Sequence, residues 1–370
     1  MKNFWETLRN IKQETGKPFF VLAPMADVTD PAFRSVVAKY SRHGETGGGP
    51  DVLWTEFVSA DGLCHPVGGE KLKRDLSYTE TERPIVAQLF SSKPENMRIA
   101  CRICAEMGFD GIDINMGCPD RTIEKQGCGS AMIKNRDNAI EIIHAAKQGI
   151  IDSGCDIPLS VKTRVGYYQP DIENWIGTLL RQNITCLTVH ARTRKDLSVV
   201  PANWDYIQQV VQLRDRIAPH TVIIGNGDVT DMSDGDQKSR DTGCDGIMIG
   251  RAIFGNPWLF DRNRVINQQG SWRISWWMKL FPRSIMKRIM GDRRYTIPQV
   301  DITEKLRVLV EHSELYMELL GDIKGFAIMK KHYKAYCTGF PGARELRSRL
   351  METSNVGQVR DIVDEFLEKM

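Results

Sequence analysis

The sequence predicts a (β/α)8 TIM barrel followed by a smaller all-helical C-terminal domain, and three observations predict it. Eight short apolar runs alternate with segments of helical period between residues 19 and 250. Nearly every run stops at a polar residue or a glycine turn. Residues 301–370 carry helical period alone. Strand–helix alternation implies a parallel sheet, and eight such units close a barrel whose chemistry gathers at the carboxyl ends of its strands. The expected division is a barrel over 1–262, a basic Trp-rich link over 263–300 and a helical domain over 301–370.

Phe19 to Ala23 reads as strand one, and Asp30-Pro31 opens a helix through Lys39 as N-cap and first-turn proline. The four glycines between Gly44 and Pro50 read as a flexible surface insertion. Val52 to Thr55 is strand two, with Glu56 at its end. Pro84 to Phe90 is strand three, with Gln88 the polar exception, and Pro94 to Met107 is helical. Cys101 and Cys104 on that helix form a CxxC, but no second ligand pair lies nearby, so they read as helix packing. Asp110 to Asn115 is strand four, with a helix from about 135 to 151. Pro158 to Arg164 is strand five, with a helix from near Asp171. Ile184 to His190 and a helix over 204–217 follow. Thr221 to Ile224 is strand seven, broken by Gly225-Asn-Gly-Asp228, with a helix through about Arg240. Asp245 to Ile249 is strand eight, ending in Gly250-Arg251. Residues 301–319 and 356–369 are the clearest helices of the last domain.

Composition narrows the function. Of 370 residues, 41% are hydrophobic and 26% charged, as in soluble globular proteins. Nine cysteines without a paired framework fit a reducing cytoplasm. Residues 1–17 lack an apolar export core, and no apolar run is long enough to span a membrane. The net charge is only +3, yet residues 264–294 hold 8 Lys and Arg against 1 acid, and residues 324–350 hold 7 against 1. A mildly acidic body with a basic C-terminal third points to a polyanion gripped by that third. Lys330, Lys331 and Lys334 are the foremost candidates. Trp272, Trp276 and Trp277, with Arg273, Lys279 and Arg283, read as RNA-binding or packing residues rather than a membrane-surface helix.

The stretch from Gly111 to Pro119 is the centre of the site. A strand runs out at Asn115-Met-Gly and leaves Cys118 on the following loop, where a thiol can serve as nucleophile, ligand or proton donor. The other strand ends supply Met25, Glu56, Gln88, Lys162 with Arg164, His190 with Arg192, Asn226 with Asp228, and Gly250 with Arg251. Packing alone does not explain such convergence, although Glu56 and Arg192 could simply pair as supporting ions. The glycine turns after strands seven and eight occupy the usual phosphate position of a barrel, where bare backbone N–H groups approach an anion and Arg251 adds charge.

These residues also resemble a family. Ala23-Pro-Met-Ala-Asp-Val-Thr-Asp30, Asp113-Ile-Asn-Met-Gly-Cys-Pro119, Val161-Lys-Thr-Arg164, Val189-His-Ala-Arg-Thr193, Gly225-Asn-Gly-Asp-Val229 and Gly250-Arg-Ala252 are similar, in the same order, to the tRNA-dihydrouridine synthases. The likeness covers about 19–260, with an echo from Lys330 to Leu350. It implies an FMN barrel and a helical domain, both contacting tRNA. Pro24, Met25 and Ala26 would line the flavin, Gln88 and Lys162 would bond its ring, and His190 would lie beside it. Asn226, Gly227, Asp228, Gly250 and Arg251 would hold its phosphate. Cys118 would be the acid, with Asn115, Arg164 and Arg192 on the substrate side.

The implied reaction adds a hydride from flavin N5 to uracil C6 and a proton from the Cys118 thiol to C5. NADPH, visiting the same pocket, would be the reductant. A monomer is expected. The sequence departs from the family at Ala191, where glycine is usual, in Lys195–Ser198, where an aromatic residue is common, and in the long Ser271–Arg294 link. The rivals are a flavin barrel acting on a small molecule, such as a dihydroorotate or enoate oxidoreductase, and a tRNA-binding protein without chemistry. The basic third argues against the first, and Cys118, Lys162 and both glycine turns against the second.

Overall fold

A computed structural model describes residues 3–266 and 301–370. Its eight strands are β1 Phe19–Leu22, β2 Leu53–Ser59, β3 Ile85–Phe90, β4 Gly111–Met116, β5 Leu159–Arg164, β6 Cys186–His190, β7 Val222–Asn226 and β8 Gly246–Ile249. All pair in parallel in the order β1-β8-β7-β6-β5-β4-β3-β2, and a Val21–Val52 bridge joins the two end strands into a barrel. The expected fold class is therefore found. The helices named below are α1 Phe4–Thr15, α2 Pro31–Tyr40, α3 Pro94–Glu106, α4 Arg136–Asp152, α5 Asp205–Ile217 and α6 Met232–Thr242 around the barrel. The second domain holds α7 Ile302–Leu320, α8 Lys330–Tyr336, α9 Ala343–Glu352 and α10 Val356–Glu368.

Helix α2 begins as its sequence dictates. The Asp30 carboxylate accepts from the Phe33 N–H at 2.9 Å, with Pro31 at the first helical position. The helix has two apolar faces. Phe33 and Val37 belong to the core between barrel and helices, whereas Ala32 and Val36 belong to the core of the helical domain. Cys101 and Cys104 of α3 are fully buried in the barrel core, as the packing reading requires.

Four features correct the sequence reading. Helix α1 was not foreseen, because its mixed charge hides one apolar face; Trp5 plugs the amino end of the barrel, 5.6 Å from Trp54 and 6.1 Å from Phe19 between ring centroids. Strand β2 runs past Glu56 to Ser59 through a register shift between Trp54 and Phe57, and this shift broke the expected alternation. Strand β7 continues through Gly225 to Asn226. That glycine admits the Trp204 ring, since a Cβ there would lie 2.5 Å from it. Finally, the glycine-rich stretch before Pro50 is no loose insertion: Gly48, Gly49 and Pro50 are buried, against Arg42 and Phe260.

The helical domain docks through ion pairs as well as its shared core. Lys324 reaches Glu56 and Asp75, both at 2.9 Å, Lys331 reaches Asp27 at 2.7 Å, and Tyr40 donates to Glu311 at 2.6 Å. Lys324 was expected on an open cationic face and is instead spent in this seam. The expectations for Ser271–Arg294, including its tryptophans, lie outside the described residues. No helix among the described residues is long and apolar enough to cross a membrane.

Candidate active site

Strand β4 builds the first wall. Asn115 Oδ1 accepts from the N–H groups of Gly117 at 3.1 Å and Cys118 at 2.9 Å, which turns the chain sharply after the strand. The Cys118 carbonyl accepts from the Ser130 N–H and Oγ, both at 2.9 Å. Gly129, at φ 59°, fits beneath because a Cβ would meet that carbonyl at 2.7 Å. Ser130 Oγ shares its single proton between that carbonyl and Glu124 Oε1, 3.0 Å away, and Glu124 pairs with Arg194. None of this clamp was read from the sequence. Burial pushes the half-buried Cys118 thiol above its usual pKa, against smaller opposing pulls from Lys162 and Arg164, so it stays protonated at neutral pH.

Strands β5 and β6 supply the cations. Lys162, level with Asn115 in the sheet, has no hydrogen-bond or ion-pair partner among the described residues. Burial, then Arg164, lowers its ammonium to about 8. Arg164 is buried and donates to the carbonyls of Gly117, Thr193 and Leu197 at 2.9–3.0 Å; only Nη2 has no partner among the described residues. It holds the Cys118 loop to the loop after β6. Arg192 Nη1 donates to His190 Nε2 at 3.1 Å, leaving the ring proton on Nδ1. Burial, then the nearby cations, keeps His190 well below its ordinary pKa and neutral.

The opposite wall is made by β7 and β8, three and four places from β4 around the eight-stranded barrel. Gly227 takes φ 124° against Ala202 and His190, and Asp228 takes φ 48°. The backbone N–H groups of Gly227, Asp228, Gly250, Arg251 and Ala252 donate to nothing among the described residues. That is the donor set an oxyanion needs, and Arg251 stands over it with its side chain mostly exposed. Pro24 and Met25 are half-buried and Ala26 exposed on the neighbouring β1 loop, and Met25 Sδ would lie 3.6 Å from a Cβ at Gly250.

Several of the expected residues are already bonded. Gln88 is fully buried, its Nε2 donating to Asp113 at 2.6 Å and its Oε1 accepting from Asn115 at 3.0 Å. Arg192 is buried and bonds the Val200 carbonyl, His190 and Asp228. The Asp228 carboxylate is held between Arg192 and Arg251 and carries the same sign as a phosphate, so the side chain orients Arg251 while its backbone N–H stays in the donor set. Glu56 and Arg192 do not pair with each other: Glu56 bonds Lys324 and the Asp27 N–H. Asn226 ties β7 to β8 through the Met248 carbonyl at 2.9 Å. In the helical domain Lys330 and Lys334 have no ion-pair partner among the described residues, while Lys331 is engaged by Asp27. No metal-binding cluster exists among the described residues.

The fold and the site define a parallel-barrel enzyme with an anion-holding pair of turns on one wall and a protonated thiol on the other. A family model described as dihydrouridine synthase (Dus) matches residues 21–370, and the chain belongs to that family. A probable tRNA-dihydrouridine synthase of Staphylococcus aureus (strain COL) is 38% identical over 371 residues, covering 100% of this chain and 97% of that protein. Probable tRNA-dihydrouridine synthase 2 of Bacillus subtilis (strain 168) is 37% identical over 370 residues, covering 100% and 98%. Among solved structures, 2-naphthoyl-CoA reductase with 2-naphthoyl-CoA shares the fold, at a TM-score of 0.50 and 10% identity over 66% of this chain and 49% of that one. The chain is thus an enzyme of the tRNA-dihydrouridine synthase class.

Proposed function

We propose that this enzyme reduces a uridine of tRNA to 5,6-dihydrouridine with FMN as its cofactor, NADPH as reductant and Cys118 as the acid. The observation that carries the reading is the grouping of a thiol held protonated on the β4 loop, Lys162 on the adjacent β5 with no partner among the described residues, and N–H donors unused among the described residues on the facing turns after β7 and β8. The donor set fits FMN. Gly227, Gly250 and Arg251 would hold its phosphate, with Asp228 and Asn226 fixing those turns. Pro24, Met25 and Ala26 would line its ring beside neutral His190, and Lys162 would face the ring as a cation. FMN supplies a hydride to C6 of the uracil.

The rest falls to the chain itself. Cys118 gives its proton to C5 and needs no unusual acidity to do so. Asn115 and Arg164 Nη2 orient the base. A uracil in folded RNA must leave its stack, which costs a few kcal/mol and calls for a grip on the flanking backbone. Lys330 and Lys334 supply that grip, and Lys331 joins it by exchanging Asp27 for phosphate. Such a substrate places the enzyme in the cytoplasm.

Purified protein should be yellow and form dihydrouridine in unmodified tRNA when given NADPH. Cys118→Ala should keep its flavin and its NADPH oxidation while dihydrouridine formation collapses. Protein that takes up no FMN would overturn the cofactor assignment, and full turnover by Cys118→Ala would overturn the acid.

A further inference from the structure

Beneath the Cys118 loop lies a row of buried polar side chains whose donor and acceptor senses are forced. The Gly117 and Cys118 N–H groups can only donate, so Asn115 must turn its Oδ1 to them. Its Nδ2 then points the other way and must find an acceptor, which is Gln88 Oε1 at 3.0 Å. The Gln88 amide is thereby fixed as well, and its Nε2 must donate, to Asp113 Oδ2 at 2.6 Å. Asp113 is fully buried, and its other oxygen accepts from Ser160 Oγ at 2.6 Å. Gln88, Asp113 and Ser160 occupy one register level on three adjacent strands. No other side chain among the described residues bonds Asp113, and Lys162 is not within ion-pair distance of it.

We infer that Asp113 is a positioning residue for the acid: its Oδ2, as an obligatory acceptor, sets the sense of two amides in series and so keeps an acceptor under the Cys118 N–H. The inference deepens the proposed function, on which the catalytic meaning of Cys118 rests. Either amide could otherwise rotate by a half turn at little steric cost, and Asn115 would then present NH2 to two N–H groups. The relay needs an acceptor and not a charge. A carboxyl protonated on Oδ1 still accepts on Oδ2, because Ser160 can take that proton and turn its own toward the Ile112 carbonyl, 3.3 Å away. An asparagine can do the same, with its oxygen toward Gln88 and its NH2 toward Ser160.

The test compares Asp113→Leu with Asp113→Asn. Iodoacetamide labelling of Cys118, mapped by peptide and referred to exposed Cys155, should quicken by ~10-fold in Asp113→Leu, the order expected for one buried hydrogen bond lost. Its kcat for dihydrouridine should fall by a similar ~10-fold, with flavin content and KM for tRNA within about two-fold of wild type. Asp113→Asn should return both readouts to near wild type. Unchanged labelling in Asp113→Leu would overturn the relay. Equal damage in Asp113→Asn would overturn it too, because the charge toward Lys162 would then be what matters. Should Asp113→Leu fail to fold, Asp113→Val takes its place with the same expected and overturning results, since it removes the same acceptor from Gln88 Nε2 with a smaller apolar side chain. The labelling arm holds even if wild-type protein makes no dihydrouridine, so failure of the relay and failure of the proposed function are distinguishable.

Discussion

The two ends of the barrel are built on opposite principles. The amino end is closed by Trp5 against Trp54 and Phe19, and beside the plug lies a groove of about 1070 Å3 lined by Phe4, Pro84, Phe109, Ile150 and Ile157. Its cations are already spent: Arg83 bonds Glu80, Asp110 and the Tyr78 hydroxyl, and Lys147 bonds the Gln182 carbonyl. The carboxyl end leaves chemistry open, in Lys162, the Cys118 thiol and the N–H groups of two glycine turns. The site is where polar groups remain unanswered.

Perturbing each end should separate them. Cys118→Ala at the open end should lower dihydrouridine formation by ~10²–10⁴-fold, the usual range for a lost general acid, without moving the unfolding midpoint. Trp5→Ala at the closed end should do the reverse and cost ~3–5 kcal/mol in urea unfolding, while the folded fraction keeps its specific activity. Loss of specific activity in Trp5→Ala would mean that the plug shapes the mouth.

The seam behind the mouth sharpens the contrast, because it holds unanswered polar atoms that face no ligand. The His312 and His332 rings meet edge to face, 4.5 Å apart beside Phe33, fully buried, and none of their four ring nitrogens has a hydrogen-bond partner among the described residues. Burial pushes His332 down from 6.5 to about 4 and His312 well below its ordinary value. The unfolded chain therefore binds more protons below pH 6.5. Stability should be level above about pH 6.5 and fall toward pH 4 by ~1.4 kcal/mol per pH unit for each ring. Denaturation at pH 7 and pH 5 measures the slope, and His332→Phe should flatten it. The smallest effect belongs to the helical domain: Lys330→Ala with Lys334→Ala should weaken tRNA binding and reduce the salt slope by ~2, leaving NADPH oxidation untouched. An unchanged slope would move the grip elsewhere.

The barrel was legible because strand and helix periods alternate, and because polar strand ends are conspicuous against apolar runs. The lysine, the thiol and the two glycine turns stand out in one dimension for the same reason. What stayed hidden depends on neighbours distant in sequence. Nothing near Gln88 or Arg192 in the chain says that Asp113 and Asn115 hold the first and Asp228 the second. The Asp113 row becomes visible only once the register aligns three polar residues from β3, β4 and β5. Lys324 looked like part of a cationic surface because its partners, Glu56 and Asp75, are more than two hundred residues away.

The double-faced α2 has a practical consequence for anyone seeking a minimal catalytic fragment. Residues 301–370 cover Ala32, Val36 and Trp258 and tether the β1 loop through Lys331 on Asp27 and Lys324 on Glu56. Truncation before residue 301 would bare an adhesive apolar strip and unmoor the segment bearing Pro24 and Met25, so the shortened chain should aggregate rather than behave as an autonomous reductase.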